Sequence, residues 1–286
     1  MKEAAPPLPP LTWLYVPGDR PDRFEKAVKS EADVVIIDLE DSVAAAGKDA
    51  ARANARSFVE QPRSKPVVVR VNDVRSPWGR SDLETLSDAR ALGGLRVPKV
   101  ESAADVRAVV ACLDRPLPLD CLIESARGVE AAFEIASTPD VRRIGLGEAD
   151  LRGALGASDD DALLWSRGRV VVAASAAGLP RPAMSVYANV ADIDGLVASC
   201  ARGRALGFLG RAAIHPRQLP VIAQAFTPSD DEARAARELL DALEAGDQAG
   251  LGVAVLRDGR FVDRAMVEGA RLTLALASRA TRQMSL

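Results

Sequence analysis

Charged side chains gather where apolar runs stop. In "LIESARG" (122–128) the pair Leu122–Ile123 is followed at once by Glu124, then by small residues and a helical pattern. In "GLGEAD" (145–150) Asp150 follows the next apolar run, 26 residues further on. If those runs are neighbouring parallel strands, about 4.8 Å apart, the two acids can share one hard cation. Mg2+, or Mn2+, suits such a site, held by one or two carboxylates plus water and substrate oxygens. The other reading is that each acid caps the helix that follows it. "IDLED" adds Asp38, Glu40 and Asp41; strand alternation puts Asp38 and Glu40 on one side, while Asp41 points away or begins the turn. Five acids around one ion leave excess negative charge. These three are therefore expected as an outer layer, with Glu40 and Asp41 hydrogen-bonding the water around the ion. Arg70, closing "VVVR", offers a fork to a carboxylate or a developing oxyanion, with a salt bridge to "DLED" as the alternative. Lys99 is a weaker case of the same kind, and His215, between Ile214 and Pro216, reads as a structural cap of the last strand.

Placing these groups together requires strands whose ends converge. Short β-branched runs alternate with helical patterns: "LTWLYVP" (11–17), "DVVIIDLE" (33–40), "PVVVRVN" (66–72), "GLRVPKV" (94–100), "LDCLIES" (119–125), "VRRIGLG" (141–147), "PAMSVYA" (182–188) and "GFLGRAAIHP" (207–216). Ser102 with Asp105, and Ser229 with Glu232, have the spacing of helix-starting capping boxes. Eight strand–helix units in roughly 220 residues predict an α/β fold, a (β/α)8 TIM barrel, whose strand ends meet on one face. A doubly wound sheet is the rival, but its glycine-rich first turn is missing; "GLGEAD" comes late and has Asp150 where the third glycine belongs. The expected organisation is a flexible lead-in (1–10), a barrel (11–227) and a C-terminal helix–hairpin–helix extension (228–286). Asp258–Gly259 supplies the hairpin turn, and the extension is expected either to close a barrel end or to pack on the barrel mouth of a neighbouring subunit.

The totals exclude several classes. The chain has 286 residues, 48% apolar and 27% charged, with a net charge of −3, which gives no reason to expect nucleic acid or a membrane surface. No apolar run reaches the roughly 18 residues of a spanning helix. One histidine and three scattered cysteines rule out a zinc centre built on several histidines or on cysteine pairs. The thiols read as reduced packing residues of a cytoplasmic protein.

Taken in order, "YVPGDRPDRFEKA", "DVVIIDLEDSV", "VVVRVN", "SPWG", "VPKVES", "LIESARG", "GLGEADL", "GFLGRAAIHPRQ", "AFTPS" and "GRFVDRAMV" resemble the citrate lyase β-subunit-like family of the HpcH/HpaI aldolase/citrate lyase superfamily, from about residue 12 to 275. The resemblance implies a barrel that assembles as a homo-oligomer, a trimer or hexamer. It implies Mg2+-dependent cleavage or formation of a carbon–carbon bond in a 3-hydroxy acyl-CoA thioester of the citramalyl-, malyl- or citryl-CoA type. The partners are then the acyl-CoA and a 2-keto acid. By the same resemblance Glu124 and Asp150 are metal ligands, with Glu124 also at the substrate; Arg70 binds the keto-acid carboxylate; and Asp263 of "VD" enters a neighbour's site as acid or base. Arg20 and Lys48, near the barrel mouth, are the expected CoA contacts. The sequence departs from the pattern at Arg211, where a lysine is more usual, and at Asn189, where an acid is common. The alternatives are a malyl-CoA-type thioesterase, a class II keto-acid aldolase, which would want a histidine near the metal, and a citrate lyase subunit acting only on a carrier-bound substrate.

Overall fold

The structure, a computed structural model, describes residues 8–248, 253–256 and 259–283. The chain divides into two compact units, Pro10–Ala223 and a second made of Gln224–Leu286 with Met1–Pro9.

The first unit is an α/β layer around one parallel sheet of seven strands. These are β1 (Thr12–Pro17), β2 (Val34–Asp38), β3 (Val67–Arg70), β4 (Leu95–Val97), β5 (Leu119–Ile123), β6 (Val141–Leu146) and β7 (Arg211–Ala213). Their order is β6-β5-β4-β3-β2-β1-β7, so each strand lies beside its predecessor and the last returns to the first. A doubly wound sheet would instead reverse direction at its first strand. The arrangement is TIM-barrel-like. β2 and β5 are buried along their whole length, as strands covered on both faces must be, and this accounts for their apolar runs, broken only by Asp38 at the end of β2 and Asp120 inside β5. Trp13, Val34, Ile36, Val68 and Ala212 form a core cluster, with Tyr15 and Ala183 packed on it.

One expected strand is nearly absent. Residues 182–188 contribute a single bridge, Met184 to Arg211, made by Met184 N–H to Gly210 C=O (2.9 Å) and Ala212 N–H to Met184 C=O (3.0 Å). Pro182, at the start of the segment, has no N–H to give a ladder, although its C=O accepts from the Leu209 N–H (2.8 Å). Among the described residues no ladder joins this segment to β6, so the hydrogen-bonded sheet stops one link short of closure.

Helix starts follow the side chains that precede them. Ser76, Ser102 and Ser125 each accept a hydrogen bond from the backbone N–H three residues on, satisfying an otherwise unpaired donor. In the second unit Ser229 and Glu232 make a reciprocal capping box (2.8 and 3.2 Å) before the helix Asp230–Gln248. β8 (Val253–Val255) pairs antiparallel with β9 (Phe261–Asp263), and the helix Val267–Gln283 follows. Of the expected hairpin turn, Asp258 lies outside the described residues. Gly259 has φ +85°, a left-handed conformation that glycine adopts without a Cβ clash. Among the described residues no helix is long and apolar enough to cross a membrane.

Candidate active site

Strand pairing brings the polar ends of β1 to β6 together around a cavity of about 640 Å3, whose lining includes Asp38, Arg70, Glu124 and Asp150. On the β2–β3 side the residues satisfy one another. Asp38 accepts hydrogen bonds from the N–H groups of Glu40 (2.9 Å) and Ser42 (3.1 Å). Arg70, its register partner, donates to it twice at 2.7 Å, from Nε and Nη2. Burial works to raise the Asp38 carboxyl, but Arg70 outweighs it and holds the group below the usual carboxylate range. Arg70 Nη1 donates to Asp41 (3.0 Å) and stands 3.0 Å from Glu40 Oε2. The salt bridge to "DLED" is therefore the contact Arg70 makes, and Arg70 also lines the cavity.

The β5–β6 side is not satisfied in this way. Glu124 follows Ile123 at the end of β5 and is only 8% exposed. It lies against Gly147, where any Cβ would land on its carboxyl group, so the glycine after β6 makes the room it occupies. Its Oε2 accepts the Lys99 backbone N–H (2.9 Å), and among the described residues it has no ion-pair partner. Lys99 presents that N–H from a left-handed backbone, φ +55°, uncommon for a residue with a side chain. Burial first, then the nearby Glu40 and Asp150, push Glu124 up to about 7, against the Lys99 N–H and Arg70.

Asp150 is not itself at a strand end. β6 stops at Leu146, and Asp150 lies in the first turn of the helix Glu148–Leu155, with its side chain 48% exposed. Lys99 Nζ lies 2.9 Å from Glu40 Oε1 and 4.0 Å from Asp150 Oδ2. A divalent ion fits this donor set. The side chains offer only hard oxygens, and Glu124 is buried without a cation. Glu40 Oε2, ion-paired to Arg70 Nη1 at 3.0 Å, is buried and makes no well-aligned hydrogen bond among the described residues. Among the described residues no three His, Cys, Asp or Glu side chains are grouped to hold an ion, so water and substrate would complete the shell.

The remaining expected residues are dispersed. Lys48 is buried, and its ammonium donates to the carbonyls of Leu39 and Glu40 (both 2.8 Å); it braces the loop after β2 and is not an open cation for CoA. Arg20 is exposed and forks onto Asp22 at 3.0 and 2.9 Å. Asp263 lies in the second unit, exposed, accepting the Ala265 N–H (2.9 Å). His215 Nδ1 accepts the Arg217 N–H (3.1 Å), a local cap. Sequence reasoning missed two features. One is the left-handed Lys99. The other is a set of charged residues below the mouth, Arg96, Asp120 and Arg143, whose signal was charge inside three strand runs: one residue in β4, one in β5 and the Arg142–Arg143 pair in β6.

Residues 11–216 match the HpcH/HpaI aldolase/citrate lyase family. A (3S)-malyl-CoA thioesterase of Cereibacter sphaeroides is 39% identical over 269 residues, 92% of this chain and 93% of that protein. An L-malyl-CoA/beta-methylmalyl-CoA lyase of the same organism is 34% identical over a 312-residue alignment covering 97% of each chain. The crystal structure of CitE from Mycobacterium tuberculosis with magnesium, acetoacetate and coenzyme A has a TM-score of 0.80 at 33% identity, covering 94% of this chain and 98% of that one. With the family match spanning most of its length, this chain belongs to the HpcH/HpaI aldolase/citrate lyase family, a family of lyase enzymes.

Proposed function

We propose that the chain is a Mg2+-dependent carbon–carbon lyase that cleaves a 3-hydroxy acyl-CoA thioester, of the malyl-, citramalyl- or citryl-CoA type, to a 2-keto acid and a shorter acyl-CoA. The observation that carries this reading is Glu124, a buried carboxylate without a cation beside Asp150, at the mouth of a cavity that Arg70 also lines. Glu124 and Asp150 would hold the ion, which, when bound, supplies the positive charge that makes the substrate hydroxyl more acidic and favours the carbonyl it becomes. Arg70, fixed by Asp38, turns its unused N–H capacity toward the substrate carboxylate and orients it. Glu40 and Asp41 position water around the site, with Lys99 Nζ balancing Glu40. Bond cleavage leaves an enolate on the acyl-CoA, which needs a nearby positive charge or backbone donors and then a proton. Asp263 of a neighbouring copy is the proposed proton donor, with residues 228–286 carried to that copy's mouth in a homotrimer or hexamer. The family resemblance supports this assignment, as it does the cytoplasmic setting and exposed Arg20 as a CoA contact.

A second reading, thioester hydrolysis, is favoured by one observation: a relative 39% identical over almost the whole chain is a malyl-CoA thioesterase. One experiment separates the two. Purified protein is incubated with citramalyl-, malyl- and citryl-CoA, with and without Mg2+, while keto acid and free thiol are followed separately. Mg2+-dependent keto acid without free thiol is expected. Thiol without keto acid would replace the lyase with a thioesterase, and turnover independent of metal would remove Glu124 and Asp150 from the mechanism.

A further inference from the structure

The charged residues below the mouth form one continuous row. Strand register links Pro17 to Asp38, Asp38 to Arg70, Arg70 to Arg96, Arg96 to Asp120 and Asp120 to Arg143. Five consecutive strands thus each place a charge in a row where barrel interiors usually carry branched aliphatic side chains. Asp38 and Arg70 satisfy one another at the upper end. The lower end is unbalanced.

Arg96 is 7% exposed, and its Nε has no partner. Its Nη1 donates to the Tyr15 hydroxyl (3.1 Å), and its Nη2 stands 3.8 Å from Asp120 Oδ2. Asp120 is 3% exposed, and that Oδ2 accepts no hydrogen bond. Arg143 Nη1 is 3.9 Å from Asp120 Oδ1, an oxygen that also accepts from Arg142 Nη2 at 3.3 Å. Three guanidiniums therefore surround one carboxylate, and Arg96, Asp120 and Arg143 all line the cavity. Buried charge and unmade hydrogen bonds of this kind are costly unless a ligand or ordered water completes them. An oxyanion would complete both, since a guanidinium presents two parallel donors to its oxygens. Asp120 precedes Glu124 by four residues, about 13 Å of strand, so this level is distinct from that of the metal pair.

We infer that the floor of the cavity is an oxyanion site, separate from the Glu124–Asp150 pair, in which Arg96 and Arg143 receive one carboxylate or phosphate group. The group comes either from the far acidic arm of a molecule held at the mouth or from a free small anion; both present the same chemistry. The inference does not depend on the metal reading.

The test titrates inorganic phosphate into the full chain without Mg2+, by calorimetry and by thermal melting, against chloride at equal ionic strength. Saturable binding is expected, with a melting temperature that rises with phosphate beyond the chloride control. Arg96→Met and Arg143→Gln should each weaken binding at least tenfold. Asp120→Asn, which removes the competing carboxylate, should tighten it several-fold, a gain that a purely structural cluster would not give. Absence of saturable binding in the unaltered chain, or unchanged affinity in the arginine variants that fold, would overturn the inference. Should Arg96→Met not fold, Arg143→Gln and Asp120→Asn decide. Repeating the titration with Mg2+ identifies the source. Competition by malate but not by pyruvate assigns the floor to the substrate's own arm, and competition by neither assigns it to a free anion.

Discussion

The two sides of the barrel mouth hold buried carboxylates in opposite electrostatic states. Asp38, on the β2–β3 side, has two short bonds from Arg70 and is held below its usual pKa. Glu124, on the β5–β6 side, has one backbone N–H and acidic neighbours, and is pushed up to about 7. Both are nearly excluded from water, so burial alone cannot make them differ. The difference is counter-charge: the chain supplies it to Asp38 and withholds it from Glu124. An arginine beside Glu124 would stabilise the fold and compete with any cation. Environments that push two acids apart in this way are a common mark of divided roles within a site. Here the division we propose is positioning on one side and ligand capture on the other.

The comparison breaks most visibly at Glu124. Glu124→Gln keeps size and shape but removes the charge, and turnover with Mg2+ should fall about a thousandfold, the several kcal/mol that a well-placed ion contributes. Stability should move the other way. A carboxyl whose folded pKa is raised contributes stability below its unfolded value, near 4.3, and loses it as pH rises through about 7. The metal-free variant should therefore melt higher than the parent at pH 8 and with less pH dependence. A variant with normal turnover, or one that melts lower at pH 8, would show that Glu124 is partnered like Asp38. Arg70→Lys tests the other side. One ammonium cannot reproduce the double contact, so stability should drop by about 2 kcal/mol in denaturant titrations. If Arg70 also orients a substrate carboxylate, KM for the keto acid in the condensation direction rises as well. An unchanged KM would confine Arg70 to bracing Asp38.

Asp150 sharpens the contrast within the pair. Its side chain is half in solvent, where water competes for the charge, so Asp150→Asn should raise the Mg2+ needed for half-maximal activity by about tenfold rather than abolish turnover. A loss as deep as that of Glu124→Gln would mean that the helix-borne acid holds the ion as firmly as the strand-borne one.

Legibility from sequence followed the same division. Strand ends could be read where an apolar run gave way to charge, as at Asp38, Arg70 and Glu124, because β2 and β3 are apolar up to their last residue and β5 carries only Asp120 before Glu124. Helix starts at Ser102 and Ser229 were legible because their caps are local. The strand expected at 182–188 shrinks to one bridge, and the missing donor of Pro182 at its start matters only once the neighbouring strand is known. Asp150 was assigned to a strand end because periodicity does not fix where Gly147 turns the chain. Lys48, expected as a CoA contact, is instead buried against the loop after β2, because its environment depends on that loop folding back over the sheet, and the same dependence hid the left-handed backbone of Lys99. The Arg96–Asp120–Arg143 set went unread because three charges in separate strands mean little until register aligns them.

The smallest expected effect lies at acid pH and belongs to Asp38. Its folded pKa is lowered by Arg70, so the pair's contribution is present above the unfolded value, near 3.9, and is lost as pH falls through the folded one. The loss by pH 3 is at most about 1 kcal/mol, the limit that protonation of the unfolded carboxyl sets. Asp38→Asn should flatten this part of the stability curve while lowering stability at pH 7, because Arg70 is left buried beside a neutral amide. Glu124→Gln should steepen the acid limb, since the parent gains stability there as the unfolded Glu124 carboxyl protonates near 4.3, and the amide does not. Chemical denaturation at pH 3, 5 and 7 on the three proteins measures the difference. An acid limb as steep in Asp38→Asn as in the parent would place the acid-sensitive pair elsewhere, with the Asp160–Arg167 contact the next candidate, since Arg167 holds Asp160 down to about 2.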